Sequence, residues 1–260
     1  MEYLVIGLAS LLVSGVTLWS GFGLGTLLTP VFALFFPLSL AVAATAVVHL
    51  ANNLFKLGLL AHQADRDTLL RFGVPAAVAA LVGAGLLSWL DQLPQLLSYE
   101  RGESHHQITL VKAVIGSLII IFALLEFSAR FQSLALSPRY LPLGGMLSGF
   151  FGGLSGNQGA LRSAFLLKAG LSKEAFVATG VAAAVMVDGT RLGVYGVSFL
   201  AEQFSRSQAL LLPIGVATLC AFSGALLGKR LLRKVKLRTV QLAAAGMLFV
   251  VGLGLVTGLL

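Results

Sequence analysis

The sequence predicts an all-α fold, a polytopic helical membrane protein built from two inverted-topology repeats. Of its 260 residues, 57% are hydrophobic and 11% are charged, whereas about 25% are charged in an ordinary soluble domain. The mean hydropathy is +0.94. A soluble domain of this size could not bury so much apolar surface, so a water-soluble enzyme and a nucleic-acid-binding module are excluded. Two glycine-rich stretches, each followed by a short apolar segment, complete the pattern.

Ten apolar stretches predict the helical segments. About 20 helical residues cross the hydrocarbon core, so most of these stretches are long enough to span it. Two are shorter. The stretch 22–36 is also interrupted by Pro30, and the still shorter stretch 159–171 contains Arg162 and Lys168. These two are predicted to be broken or re-entrant half-helices, although loop sidedness alone does not separate a re-entrant hairpin from two spans. The predicted segments are 3–19, 22–36, 38–61, 69–90, 108–127, 140–156, 159–171, 173–200, 207–228 and 239–259.

The charged residues predict the orientation. The net charge is +8, and membrane proteins collect Lys and Arg on the cytoplasmic side. The strip 229–238 contains six basic residues and no acid, so it is predicted to be cytoplasmic. The loop 91–107 contains three acids and one Arg and is predicted to be extracytoplasmic. The connections 62–71 and 128–139 then lie inside, and both chain ends lie outside.

An internal repeat relates the two halves at a shift of 134 residues. SGVTLWSGFGLGTLLTP (14–30) aligns with SGFFGGLSGNQGALRSA (148–164). An odd number of crossings separates the copies, which predicts the inverted-topology repeat of many secondary transporters. The predicted divisions are a first membrane repeat at 1–128, a cytoplasmic linker at 129–139 and a second membrane repeat at 140–260.

Polar residues farther along the two copies also correspond. Ala44-Thr45 aligns with Ala178-Thr179 at the same shift. One further residue of shift places Asn53 and Lys56 opposite Asp188 and Arg191. The order of these elements strengthens a repeat that is weak by identity alone.

The motifs at these positions resemble the sulfite exporter TauE/SafE family. They are GFGLGTLLTP (21–30), GGLSGNQGALRSAFLLKAGLSKEAFVATG (152–180) and the Asp-x-x-Arg plus Tyr that follow. The similarity covers essentially the whole chain, and the second motif is the more specific. The first departs from the usual triple glycine because Phe22 and Leu24 interleave its glycines. The resemblance implies a bacterial or archaeal cytoplasmic (inner) membrane carrier that moves sulfite, organosulfonates or similar anions, usually outward.

The two glycine-rich breaks are candidate anion-binding elements. A helix N-terminus carries unpaired N–H groups and a positive dipole end, and glycine lets a ligand approach the backbone closely. In an inverted repeat the two breaks would face each other near the pseudo-twofold axis. The alternative is that the glycines only permit tight helix packing. The candidate residues are Ser20, Gly21, Gly23, Gly25, Thr26, Ser155, Gly156, Asn157, Gln158 and Gly159.

Four ionisable residues lie well inside apolar stretches, where charge is costly and commonly functional. The Arg162 guanidinium matches a three-oxygen anion; the alternative is a salt bridge that closes the bundle. Lys56 is a substrate-binding candidate that could instead snorkel to the cytoplasm. Asp188 and Arg191 share a helical face and are expected to pair with each other or with Arg162. Asp188 is also a possible proton site or part of a gating ion pair.

Further polar candidates flank these charges. Thr45 and Thr179 are possible hydroxyl ligands, although capping back onto the helix backbone is a commoner role. His49 lies one turn from Thr45 and Asn53, and this polar stripe should face a protein interior or a cavity. His49 is a packing hydrogen-bond donor or a proton site, and Tyr195 could line the cavity.

No metal or cofactor is predicted. His105 and His106 are adjacent, but no cysteine or second histidine pair accompanies them. The expected partners are a small anionic substrate and the lipid bilayer, with no nucleic acid. A homodimer is possible because most homo-oligomers are twofold.

The function predicted from these features is a secondary transporter, and specifically an exporter of a small sulfur-containing oxyanion by alternating access. An anion channel is one alternative. Another is a rhomboid-like intramembrane serine protease, because residues 153–156 fit GxSG. That enzyme requires a later histidine, and all four histidines precede Ser155. A structural subunit without transport would leave the paired polar breaks unexplained.

Overall fold

The computed structural model describes residues 2–17, 24–101, 104–128, 130, 134–197, 210–231 and 237–260. Within them, five helices are long and apolar enough to cross a membrane, which confirms the predicted polytopic helical membrane fold. The α-helices are α1 (Glu2–Thr17), α2 (Leu24–Ala33), α3 (Leu38–Leu60), α4 (Arg66–Asp91), α5 (Leu110–Phe127), α6 (Leu141–Ser155), α7 (Gly159–Leu166), α8 (Lys173–Tyr195), α9 (Leu211–Leu231) and α10 (Leu237–Thr257).

The two short segments fold as short helices. α2 has ten described residues and α7 has eight, fewer than the roughly 20 with which a helix crosses the hydrocarbon core. Pro30 lies inside α2, which continues to Ala33. A proline only removes one backbone hydrogen bond and crowds the preceding turn, so here it does not end the helix.

Side-chain caps fix where several helices begin. Asp65 accepts a hydrogen bond from the backbone N–H of Thr68 at the start of α4. Thr109 and Ser172 cap α5 and α8 in the same way, satisfying donors that would otherwise lack an intrahelical partner. The hydrogen bond from Thr68 also lowers the pKa of the Asp65 carboxyl.

The segment predicted as an extracytoplasmic loop contains an antiparallel hairpin. Its strands are β1 (Gln95–Arg101) and β2 (Ser104–Thr109). The Tyr99 hydroxyl donates to the carbonyl of Thr257 at 2.6 Å, so the hairpin is attached to the end of α10. This small sheet departs from the all-α expectation.

Glycines bring α4 and α6 into backbone contact. A Cβ added to Gly145, Gly149 or Gly153 of α6 would collide with a carbonyl of α4. These glycines recur every four residues and therefore form one stripe along the helix. Small residues let membrane helices approach closely and gain van der Waals contact.

Two other helix pairs are packed in the same manner. A Cβ on Gly224 or Gly228 of α9 would collide with the α1 backbone. Gly116 of α5 and Gly252 of α10 face one another. A Cβ added to either glycine would lie 3.0 Å from the carbonyl oxygen of the other. Each of the three pairs joins a helix before residue 129 to a helix after residue 139.

The innermost long helices are α3 and α8, which pack against each other. Within an apolar stretch of 18 residues in each helix, the buried share is 72% in the α3 segment and 56% in α8, whereas it is 33% in α4. α2 packs on α3, and α7 contacts α8. The short helices and the most buried long helices therefore meet in the middle of the protein.

Candidate functional site

The second glycine-rich break is a left-handed turn between α6 and α7. Gly156 has φ +82° and ends α6, and its N–H bonds to the carbonyl of Gly152 at 3.0 Å. Glycine occupies this backbone region without the steric cost that other residues incur. α7 then begins at Gly159, so its first N–H groups lie directly beyond the turn.

The two breaks contact one another. A Cβ on Gly25 would lie 3.3 Å from the Gly156 carbonyl oxygen, and a Cβ on Gly156 would lie 3.3 Å from Thr29 Oγ1. Gly25 and Thr26 are buried in the first turn of α2. Ser20, Gly21 and Gly23 lie outside the described residues. The described parts of the two stretches are therefore neighbours.

Asp188 is the centre of a buried polar cluster. Its Oδ2 lies 2.6 Å from His49 Nδ1, and its Oδ1 accepts from Arg191 Nε at 3.0 Å and Gln158 Nε2 at 3.1 Å. Arg191 Nη2 lies 2.8 Å from the same Oδ1. Asp188 and Arg191 have no exposed surface. The pairing of Asp188 with Arg191 predicted from their three-residue spacing is confirmed.

Arg191 and Tyr195 attach α8 to the end of α6. Arg191 Nη1 donates to the Gly152 carbonyl at 3.1 Å, and the Tyr195 hydroxyl donates to the Gly153 carbonyl. A Cβ on Gly156 would lie 3.3 Å from Arg191 Nη1. The guanidinium therefore lies beside the left-handed turn, within reach of a ligand at the break.

Gln158 connects the two arginines through the carboxylate. Its amide nitrogen donates to Asp188, and its amide oxygen accepts from Arg162 Nη1 at 3.2 Å. The backbone carbonyl of Gln158 accepts from the Ser148 hydroxyl at 2.9 Å. Arg162 is 4% exposed. Gln158, the residue before α7, thus contacts both Arg162 of that helix and the buried carboxylate of Asp188.

His49 carries α3 into the same cluster. With Asp188 ionised, Nδ1–H of His49 donates to the carboxylate. The Asn53 amide nitrogen lies 3.2 Å and 3.3 Å from the two ring nitrogens. The polar stripe predicted on α3 therefore faces α8 rather than lipid.

The two equivalent threonines have different surroundings. Thr179 Oγ1 accepts from the backbone N–H of Asp65 at 2.9 Å. Thr45 Oγ1 is buried and has no hydrogen-bond partner among the described residues. Thr179 thus holds the connection before α4, whereas the Thr45 hydroxyl is available to another group.

Lys56 lies on α3 beyond Asn53 and is 6% exposed. In the described part of the chain, no carboxylate lies within ion-pair distance of its ammonium group. Its side chain lines a cavity next to the end of α3. Burial of an uncompensated ammonium is expensive, so such a group commonly marks an anion or substrate path.

The turn residues Ser155 and Asn157 satisfy only part of their polar groups. The Ser155 hydroxyl donates to the Phe151 carbonyl at 3.0 Å and accepts from Asn157 Nδ2 at 3.2 Å. Asn157 Oδ1 is buried without a partner among the described residues. Among the described residues, the His49 ring contacts Asp188 and Asn53, whereas the Ser155 hydroxyl contacts Phe151 and Asn157, so that histidine does not activate Ser155.

Sequence reasoning missed three contributors to this cluster. Ser148 holds the Gln158 carbonyl, the Gly152 carbonyl accepts from Arg191, and Thr29 Oγ1 donates to the Gly25 carbonyl at 3.1 Å. The repeat alignment of Ser14 with Ser148 could have indicated the first. The described residues contain no group of three or more His, Cys, Asp or Glu side chains that could hold a metal ion.

Comparison with known proteins identifies the chain at the level of a family. The model of the family described as Sulfite exporter TauE/SafE matches residues 3–255. No curated protein and no solved structure matches the chain.

Proposed function

This chain belongs to the sulfite exporter TauE/SafE family, and from that premise we propose that it is a secondary carrier that exports a small sulfur-containing oxyanion by alternating access. The proteins of this family are membrane transporters for sulfite and sulfonates rather than enzymes. The proposed cargo is sulfite or an organosulfonate, and the proposed location is the cytoplasmic (inner) membrane of a bacterium or archaeon.

The observation that carries the proposal is the excess of positive charge where the two breaks meet. The buried charged side chains of α3, α7 and α8 are Lys56, Arg162, Asp188 and Arg191, three cations and one carboxylate. The α7 N-terminus adds N–H groups without intrahelical partners. An anion bound here would add a second negative charge to a region with three buried cations and one buried carboxylate.

The geometry suggests how an anion would be held. Arg191 presents its guanidinium to the left-handed turn, and Arg162 reaches the same turn through Gln158. A sulfonate group competing with Asp188 for Arg191 could accept two parallel charge-assisted hydrogen bonds from the guanidinium, one on each of two oxygens. The Thr45 hydroxyl has no hydrogen-bond partner in the described structure and is the proposed neutral donor to the anion. The unpaired atom of Asn157 is its amide oxygen Oδ1, which only accepts hydrogen bonds and therefore does not bind a sulfonate oxygen.

The inverted repeat is part of the proposal. The same order of helices occurs twice, since α1, α2 and α3 correspond to α6, α7 and α8. The contact of α4 with α6 then corresponds to that of α9 with α1, and α5 contacts its own counterpart α10. Such exchange of partners is what a pseudo-twofold axis would produce.

Transport is tested with the full chain reconstituted in vesicles. We expect saturable sulfite or methanesulfonate flux at low turnover, and we expect the Arg162→Ala, Arg191→Ala double variant to lose it. The matched control is the exposed pair Arg66→Ala, Arg71→Ala. Full binding and transport by the first double variant would remove the charged part of the proposal, and single-channel currents would replace the carrier with a channel.

Orientation is tested by cysteine labelling in a Cys220→Ser background. Because loops 62–71 and 229–238 are proposed to be cytoplasmic, His62→Cys and Arg233→Cys should react only from the inner side. Ser98→Cys in the hairpin should react only from the outer side. Labelling of His62→Cys and Arg233→Cys from opposite sides would contradict the proposed inverted arrangement.

A further inference from the structure

A cavity of about 1040 Å³ lies beside the C-terminal end of α3. Its walls come from α3, from the start of α8 with the connection before it, and from α9. Nine of its thirteen lining residues are apolar, including Phe55, Leu59 and Val177. Cavities of this size with mostly apolar walls and a few polar groups are typical small-molecule sites.

One positive charge is buried in this wall with no carboxylate partner in the described part of the chain. Lys56 lines the cavity and is 6% exposed, and no carboxylate of the described residues pairs with it. The two other charged lining residues, Lys173 and Glu174, belong to the exposed first turn of α8 and have opposite signs. The cavity therefore combines an unopposed internal cation with a large apolar surface.

We propose that this cavity binds an organic anion with an apolar body, whose sulfonate or similar headgroup contacts Lys56 and whose hydrocarbon part contacts Phe55, Leu59 and Val177. The inference rests on the proposed function and deepens it by selecting the cargo. Sulfite has four heavy atoms and would leave most of the cavity empty. A chain of several carbons would cover the apolar wall while its headgroup neutralised Lys56.

The depth of Lys56 favours a soluble anion over a membrane lipid. Lys56 lies about one helical turn before α3 ends at Leu60, and the turn Ala61–Gln63 follows. A lipid headgroup at the membrane interface would be expected level with the helix end rather than inside it. The experiment also tests whether a lipid occupies the cavity.

The experiment measures binding of linear alkanesulfonates to the full-length protein in detergent by calorimetry. The series is sulfite, methanesulfonate, butanesulfonate and hexanesulfonate, with hexanol as the uncharged probe. Burial of each methylene is expected to improve affinity by about threefold to fourfold. Hexanol should bind much more weakly than hexanesulfonate because it cannot neutralise Lys56.

Two variants assign the effect to the cavity. Leu59→Trp places a larger side chain on an exposed position of the cavity wall and so narrows the cavity. This variant should no longer bind longer alkanesulfonates more tightly, while sulfite binding persists. Leu54→Trp is the matched control, since Leu54 lies on the same helix, is similarly exposed and does not line the cavity. Lys56→Gln should weaken every anion, whereas the exposed Lys168→Gln should weaken none. Each variant is shown to fold if the purified protein is monodisperse and its thermal transition is unshifted.

The outcomes separate the two proposals. Affinity that does not change with chain length, with sulfite still bound and transported, would overturn this inference and leave the proposed function intact. Absence of any anion binding or flux would overturn the proposed function itself. Displacement of hexanesulfonate by phosphatidylglycerol, together with that lipid in the purified protein, would assign the cavity to lipid and overturn the inference.

Discussion

The imidazole of His49 lies 2.6 Å from the carboxylate of Asp188, although 139 residues separate them in the chain. This contact joins α3 to α8, the two most buried long helices. The carboxylate also holds Arg191 and Gln158, so one side chain connects both sequence halves and the break before α7. Four predictions follow from the surroundings of this contact and from the helix pairs that enclose it.

Replacing Asp188 should destabilise the protein strongly. Asp188→Asn preserves the side-chain shape but leaves Arg191 buried without its counter-charge, a change that costs about 3–5 kcal/mol of unfolding free energy. The measurement is thermal or denaturant unfolding in detergent. Asp67→Asn is the control, since its exposed pair with Arg71 should be worth less than about 1 kcal/mol.

A double variant checks the cause of that loss. Asp188→Asn combined with Arg191→Gln removes both charges and should recover part of the stability, because position 191 then no longer carries a buried charge without its counter-charge. A double variant less stable than Asp188→Asn alone would show that the charge imbalance is not the source of the defect.

Substitution of the left-handed glycine should affect binding as well as stability. Gly156→Ala places an L-residue at φ +82°, which costs roughly 1–2 kcal/mol, and sets its Cβ 3.3 Å from Arg191 Nη1 and Thr29 Oγ1. Gly170→Ala has a similar φ of +75° with nothing within 4 Å. Stability should fall in both variants, but only Gly156→Ala should lose anion binding; equal binding would contradict a site at the turn.

The two equivalent threonines should give opposite results. Thr179→Val removes the acceptor for the Asp65 N–H and should cost about 1–3 kcal/mol of stability while anion affinity stays unchanged. Thr45→Val removes a hydroxyl without a partner among the described residues and should leave stability nearly constant while weakening anion affinity. Unfolding and binding measured on both variants check this, and unchanged affinity in Thr45→Val would exclude that hydroxyl as a ligand.

The glycine stripe of α6 should not tolerate even one methyl group. A Cβ at position 149 would collide with the Ala76 carbonyl, so Gly149→Ala must displace α4 at a cost of about 1–3 kcal/mol. Gly246→Ala is the control in α10, where nothing lies within 4 Å, and it should stabilise by up to about 1 kcal/mol. Thermal unfolding distinguishes the two, and a stable Gly149→Ala protein would mean that α4 and α6 are loosely packed.

Helix positions could be predicted from the sequence because long apolar stretches end at polar or breaking residues. The segment predicted at 140–156 is Leu141–Ser155 in the structure, and the one predicted at 38–61 is Leu38–Leu60. The hairpin could not be predicted in this way, since strand pairing and the Tyr99 contact with Thr257 depend on chain folding. Residues 198–209, where the predicted ends of two segments fall, lie outside the described part.

The individual charged residues of the site could be predicted, but most of their connections could not. Spacing alone predicted the pair of Asp188 with Arg191, because residues three apart share a helix face. Nothing in the sequence shows that His49 reaches the same carboxylate or that Gln158 bridges Asp188 and Arg162. These contacts depend on how α3, α7 and α8 are placed, and that placement is set by distant packing.

The glycine-packed helix pairs determine which parts could move as rigid bodies. α1 is joined to α9 and α4 to α6 through backbone contacts, so each pair takes one helix from before residue 129 and one from after residue 139. A rotation of one sequence half against the other would disrupt the contact of α1 with α9 and the contact of α4 with α6 at the same time. We therefore do not expect the two halves of the chain to move as separate rigid bodies, and a protein cleaved between residues 129 and 139 should yield two fragments that stay associated.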